Sequence, residues 1–240
     1  MENTIDIKGI IFDYGGTLDS RGEHWSEVIW RGYCNSNANV EYKAFIDAYV
    51  YAERCLAKEI RVPKEYNFLE LIKLKVGIQL DFLIENNSFL GNKDSVLNEV
   101  SQYCYQSAKK CIDEAISVLD ILRPKFKLGI VSNFYGNLCS VLADFGVLEY
   151  FDFVIESAEV GVRKPDSKIF KIGVKSMKLS SAEVLVVGDS YSKDVEPAML
   201  IGCRAVWLKG KGWGEEPIND LNVKTIANLR DLLDISLNDF

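Results

Sequence analysis

Short, nearly uninterrupted apolar runs recur along the chain: KGIIFD (8–13), FKLGIVSN (126–133), FDFVIES (151–157), EVLVVGD (183–189) and CRAVWLK (203–209). Runs of this length without polar alternation are those of parallel strands covered on both faces. Between them, 112–122, 135–145, 167–178 and 192–201 carry apolar residues at helical spacing. Cys111, Ala115, Val118, Leu119 and Leu122 make one such stripe. Strand and helix in alternation predict an α/β fold, a doubly wound parallel sheet. In such a sheet a ligand sits beyond the carboxyl ends of the strands.

Residues 21–110 break the rhythm. Their pattern is mostly helical (24–58, 66–85, 93–108), rich in Tyr, Glu and Lys, with no clear strand. The expected organisation is an α/β core from 1–20 and 111–240 and a second, helical domain at 21–110, inserted after the first strand. The alternative is a set of extra helices packed on the sheet. Trp25, Trp30, Tyr33, Tyr49 and Tyr51 are assigned to the core of the insert ahead of any substrate wall. A last helix, near 226–236, reads as structural.

Composition narrows the class without changing this picture. The chain has 240 residues, 48% of them hydrophobic, enough for one large α/β domain or two domains. A net charge of −7 counts against nucleic acid or an anionic membrane surface as a partner. A small anionic substrate stays open, because local cations or a metal overrule a weak global field. The six cysteines, at 34, 55, 104, 111, 139 and 203, form no CxxC pair, and with a single histidine they build no ordinary zinc site. Cys139 and Cys203 sit in apolar runs and are expected in the core. The segment MENTIDIKGIIFD has acids where a signal peptide carries positive charge, and no apolar run approaches 18 residues. A cytoplasmic, reduced protein is expected.

The strand ends carry the chemistry. The first delivers Asp13, then Gly15, Gly16 and Thr17; the second, Ser132 and Asn133; the third is followed by Arg163, Lys164, Pro165 and Asp166; the fourth gives Asp189 and Ser190 and, shortly after, Asp194. Singly, each has an ordinary explanation. An Asp at a strand end caps a turn, a Lys before Pro is solvated, and an acid in a first helical turn suits the helix dipole. Together they put a nucleophile, a hydroxyl, a lysine and two further acids on one rim.

In this order the segments resemble the four motifs of the haloacid dehalogenase-like (HAD) hydrolases, in a form with a helical cap: FDYGGTLD the first, VSN the second, RKPD the third and GDSYSKD the fourth. The resemblance implies a nucleophile at Asp13 that forms an aspartyl phosphate. It implies phosphoryl contacts from Ser132 and Asn133, contact or loop support from Thr17, and charge neutralisation by Lys164. It also implies Mg²⁺ held by Asp13, Asp189 and the carbonyl of Gly15, with Asp194 a further ligand or a group that orients metal-bound water. A closing cap implies a small phosphorylated metabolite as substrate.

One position departs from the pattern. Phosphatases of this kind place a second Asp two residues after the nucleophile, to protonate the leaving group and activate water; here that residue is Gly15. A glycine keeps a carbonyl for the metal and loses the proton transfer. His24, the only imidazole, is the available substitute, and its ordinary reading is a residue of the first helical turn. Two other functions stay open. A 2-haloacid dehalogenase also lacks the second Asp and shares Ser-Asn, but works without metal and has no need of GDSYSKD. A non-catalytic phosphometabolite-binding or interaction protein needs no acid at all. Phosphonate cleavage through a cap-lysine imine finds no evident lysine among Lys43, Lys58 and Lys64.

Overall fold

The computed structural model describes residues 6–58, 61–210 and 223–235. Six strands form one parallel sheet: β1 (Gly9–Phe12), β2 (Lys127–Ser132), β3 (Phe153–Glu156), β4 (Val184–Gly188), β5 (Arg204–Leu208) and β6 (Lys224–Ile226). Their spatial order is β3-β2-β1-β4-β5-β6. The chain builds outward from β1 through β2 and β3, then returns to the other edge of β1 with β4, so the order switches there. Phe12 pairs with Ile130 on one side and Val187 on the other. The residues that follow β1, β2 and β4 therefore leave the sheet side by side, at the switch point where α/β sheets bind ligands.

Alternation along β1 divides the core. Ile10 and Phe12 join the cluster that continues into the helical insert, while Ile11 packs on the opposite face with Val131, Phe170 and Val186. The insert comprises α1 (Trp25–Asn35), α2 (Tyr42–Lys58), α3 (Phe68–Glu85) and the first part of α4 (Lys93–Leu122). After it come α5 (Leu138–Asp144), α6 (Ser157–Val160), α7 (Lys168–Met177) and α8 (Glu196–Leu200).

Several elements differ from expectation. The two helices expected over 93–108 and 112–122 are one 30-residue helix, about 45 Å long at 1.5 Å per residue. No Gly or Pro interrupts the sequence from Lys93 to Leu122, and the helix stops only at Arg123, before Pro124. Its first half buries Val96, Val100 and Cys104 among the insert helices; its second half lays Ala115, Val118, Leu119 and Leu122 on the sheet. Conversely, 24–58 is two helices. The Ser36 N–H closes α1 on the carbonyls of Gly32 and Tyr33, and Asn39 takes a left-handed conformation (φ 45°) before α2 begins.

The helix expected at 226–236 is instead the end of β6 and a 3₁₀ turn over Leu229–Leu233, capped reciprocally by Asn228 and Asp231; residue 236 lies outside the described residues. Within 192–201, a wide π-type turn over Tyr191–Val195 precedes α8. Cys203 is buried as expected, but Cys139 is exposed: on α5 the inward face belongs to Leu138, Val141 and Leu142. All six cysteines are free thiols. Among the described residues, no helix is long and apolar enough to cross a membrane.

Candidate active site

Asp13 follows β1 directly, and its backbone N–H still bonds the Val187 carbonyl at 2.9 Å, which fixes where its side chain starts. Three donors converge on Asp13 Oδ1: the Tyr14 N–H (2.8 Å), the Ser132 hydroxyl (2.7 Å) and Lys164 Nζ (2.8 Å). Lys164 Nζ also reaches Asp194 Oδ1 at 2.6 Å and the Val131 carbonyl at 3.3 Å. Asn133 uses both ends of its amide on the Lys164 backbone, accepting from N–H at 2.9 Å and donating to C=O at 3.1 Å. Asn133 thus places the lysine, and it also lines the cavity described below. The Thr17 hydroxyl donates to Asp189 Oδ1 at 3.2 Å, which makes it a tie between the loops after β1 and β4.

Asp194 is held by the Ser190 N–H on its Oδ2, at 3.1 Å. One oxygen from each of Asp13, Asp189 and Asp194 lies within 4.8 Å of the others. Burial, reinforced by Asp13 and Asp194, pushes the Asp189 carboxyl well above its ordinary range. Burial likewise pushes Asp194 up to about 6, although Lys164 opposes it. Lys164 is desolvated too, but Asp13 and Asp194 outweigh that and hold its pKa above the ordinary value. Three carboxylates against one ammonium is a buried excess of negative charge, and its donor atoms are all oxygen. That set fits a hard divalent cation.

The two glycines after Tyr14 differ. Gly16 has φ +98°, and a β-carbon there would collide with the Asp189 carboxylate, so the position demands glycine. Gly15 is outside the positive-φ region, and a β-carbon there would meet nothing within 4 Å. Neither backbone nor space requires the missing side chain to be missing. Nearby, Asp19 accepts from the Gly16 N–H at 2.8 Å and from Trp25 Nε1 at 2.9 Å; burial nevertheless pushes it up to about 7.

Between the rim and the insert lies a cavity of about 190 Å³. Asp13, Gly15, Ser132, Asn133, Lys164, Asp189 and Asp194 line it from the core side, and His24, Trp25, Tyr49, Glu53, Phe68 and Lys75 from the insert. His24 is a capping residue that also borders the cavity. Its Nδ1 caps α1 by accepting the Ser26 N–H at 3.2 Å, and its ring borders the cavity. Burial lowers its pKa to about 4. Accepting at Nδ1 puts the proton of the neutral ring on Nε2, a donor and not a base. Of the aromatics assigned to the insert core, Tyr33 is buried there, Tyr51 is exposed, and Trp25 and Tyr49 border the cavity.

Lys75, Glu53 and Tyr135 belong to this cavity and were not singled out from sequence. One signal was there: in LELIKLKVGIQL, Lys75 occupies the same helical stripe as Leu71, Ile72, Val76 and Leu80. A charge on the buried face of an amphipathic helix asks for a partner.

Residues 7–202 match the family model described as haloacid dehalogenase-like hydrolase. The glyceraldehyde 3-phosphate phosphatase of Methanocaldococcus jannaschii is 29% identical over 97% of this chain and 98% of its own length. A magnesium-bound HAD hydrolase of Bacillus subtilis superposes with a TM-score of 0.60 at 17% identity, over 95% of this chain and 98% of that one. A 2-haloacid dehalogenase of Pseudomonas syringae superposes with a TM-score of 0.50 at 20% identity, over 95% and 97%. At these identities the two structures speak for the fold alone; with the family match across the sheet and the insert, the chain belongs to the haloacid dehalogenase-like hydrolases.

Proposed function

We propose that the chain is a Mg²⁺-dependent phosphatase acting on a small phosphorylated metabolite through Asp13. The observation that carries this reading is the acidic trio itself: Asp189 and Asp194 stand against Asp13 in a buried site, an arrangement that weakens a nucleophile unless a cation compensates it. A dehalogenase working without metal gains nothing from it. The similarity to a glyceraldehyde 3-phosphate phosphatase across nearly the whole chain supports the same choice.

Asp13, Asp189, Asp194 and the Gly15 carbonyl would hold the cation, which supplies charge neutralisation to the phosphate. The chain's own groups do the rest. The Tyr14 N–H, the Ser132 hydroxyl and Lys164 hold the Asp13 carboxylate in place, and one of its oxygens attacks phosphorus. As the new P–O bond forms, the ester P–O bond breaks, and the leaving oxygen keeps the bonding pair and takes its proton from water. The hydroxide left by that proton transfer then attacks phosphorus, the bond from phosphorus to Asp13 breaks, its electron pair returns to the carboxylate, and hydrogen phosphate leaves. Lys164, fixed by Asn133, balances charge on nucleophile and phosphoryl group. An imine route is disfavoured: burial works against the Lys75 charge, but Glu53 and the neighbouring tyrosines overcome it and keep the amine protonated.

Hydrolysis of aryl phosphate should vanish in EDTA, return with Mg²⁺, and be abolished in Asp13→Asn and Asp189→Asn. Turnover of a 2-haloacid undiminished by EDTA would replace the phosphatase reading with a dehalogenase. Absence of both activities, with no thermal shift on adding BeF₃⁻ and Mg²⁺, would favour a binding protein on this scaffold.

A further inference from the structure

We propose that Lys75, Glu53 and Tyr135 read the far end of the substrate and select small phosphate monoesters ending in a neutral oxygen, a hydroxyl or an aldehyde, over those ending in a carboxylate. This rests on the phosphatase reading above. The three residues come from α3, α2 and the loop after β2, and meet on the cavity wall.

Size sets the first limit. A cavity of about 190 Å³ is smaller than the ~300–1,000 Å³ of sites for drug-sized ligands. It suits an ester of a few carbons.

Charge sets the second. Glu53 Oε1 lies 2.5 Å from Lys75 Nζ, and Oε2 accepts from the Tyr135 hydroxyl at 2.8 Å. The Tyr135 oxygen in turn accepts from Lys75 at 3.1 Å. Both carboxylate oxygens are thus engaged. Lys75 has found partners for two of its three protons among the described residues, and its Nζ is flanked by the rings of Tyr49 and Tyr135, at 5.9 and 5.3 Å. The third proton is left for a group in the cavity. Because Glu53 already balances the lysine, a substrate carboxylate brought here would be a third, uncompensated charge beside another carboxylate. A hydroxyl or carbonyl oxygen accepts the spare proton and adds no charge. The remaining cations that line the cavity, Arg163, Lys164 and Lys193, come from the core side, where the phosphate belongs.

The test compares three three-carbon esters with similar leaving alcohols, glycerol 3-phosphate, glyceraldehyde 3-phosphate and 3-phosphoglycerate, with p-nitrophenyl phosphate as a reporter of the core chemistry. In the native protein, kcat/KM for the first two should exceed that for 3-phosphoglycerate by about tenfold or more. Glu53→Gln leaves the lysine's charge without its counterion, so preference should swing toward 3-phosphoglycerate; a merely structural role would slow all three together. If Glu53→Gln does not fold, Lys75→Met combined with Glu53→Met removes both charges and should flatten the series. Hydrolysis of p-nitrophenyl phosphate with the three esters within about threefold of one another overturns the selectivity and spares the phosphatase. So does an unchanged ranking in the folded variant. A native protein inert toward p-nitrophenyl phosphate overturns both.

Discussion

Gly15 decides how this site differs from a phosphatase with a complete first motif. Its φ and the open space around it mean that a β-carbon is accepted without rearrangement, whereas at Gly16 it is not. Without an acid, the leaving oxygen departs as an anion until water protonates it, so rate should fall steeply as leaving-group pKa rises. Gly15→Asp should flatten that dependence and help alkyl phosphates most, by about 10²-fold or more, the scale general acids provide. A native enzyme that already hydrolyses alkyl phosphates with a flat dependence contradicts this account. His24 is then a poor replacement, because its capping bond fixes the ring as an Nε2–H donor; buried Asp19, pushed up to about 7, becomes the residue to test. The meeting of Asp13, Ser132 and Asp189 was legible because each ends or directly follows a strand; Lys164 and Asp194 arrive from the loops and turns beyond β3 and β4. The bonding partners of Asn133 and Thr17 were not legible, since their hydrogen bonds run to other loops.

At the scale of elements, five strands were legible because burial on both faces leaves an unbroken apolar run; the three-residue β6 is too short to leave one. The helix boundary near residue 110 was misread because the apolar stripe changes partner there while the helix continues. Lys75 was readable from α3 alone, but Glu53 and Tyr135 become its partners only through tertiary packing. The start of α1 yields a prediction of its own. The folded His24 has a pKa near 4, below the ordinary 6.5. Below pH 6.5 the unfolded chain therefore takes up a proton that the folded chain refuses. The associated stability is present above pH 6.5 and is lost as pH falls through about 4, by roughly 3 kcal/mol at most. Asn also caps helices, so His24→Asn should keep α1 and make denaturant stability less dependent on pH between 6.5 and 4. An unchanged slope in the variant argues that the ring titrates freely.

At the scale of the molecule, net charge and site charge have the same sign, −7 for the chain and a carboxylate excess at the rim. A bound cation should therefore be a large part of native stability. Without metal, the raised pKa values of Asp189 and Asp194 mean that the folded state favours protons there. That contribution is present below the unfolded value near 4 and lost as pH rises through about 6, the figure for Asp194. Mg²⁺ should restore what the protons gave. Its effect on melting temperature should be larger at pH 7.5 than at pH 5, reaching about 2.7 kcal/mol at a hundredfold excess over Kd. A shift as large at pH 5 would place the cation elsewhere.

The unbroken course of α4 has a mechanical consequence. The insert joins the sheet through two connections of unlike stiffness: a short loop around Arg21 and Gly22, and a rod whose lower half is bolted to the strands through Ala115, Val118, Leu119 and Leu122. An ion pair from Arg21 to Glu114 ties the loop to that same rod. The entrance therefore cannot swing as a door on two slack hinges. Any opening is expected to flex the rod as a cantilever, with its load carried into the floor of the sheet. Cutting away a side chain such as Leu119, out of reach of the substrate, loosens the anchorage and thereby changes how far and how often the mouth opens.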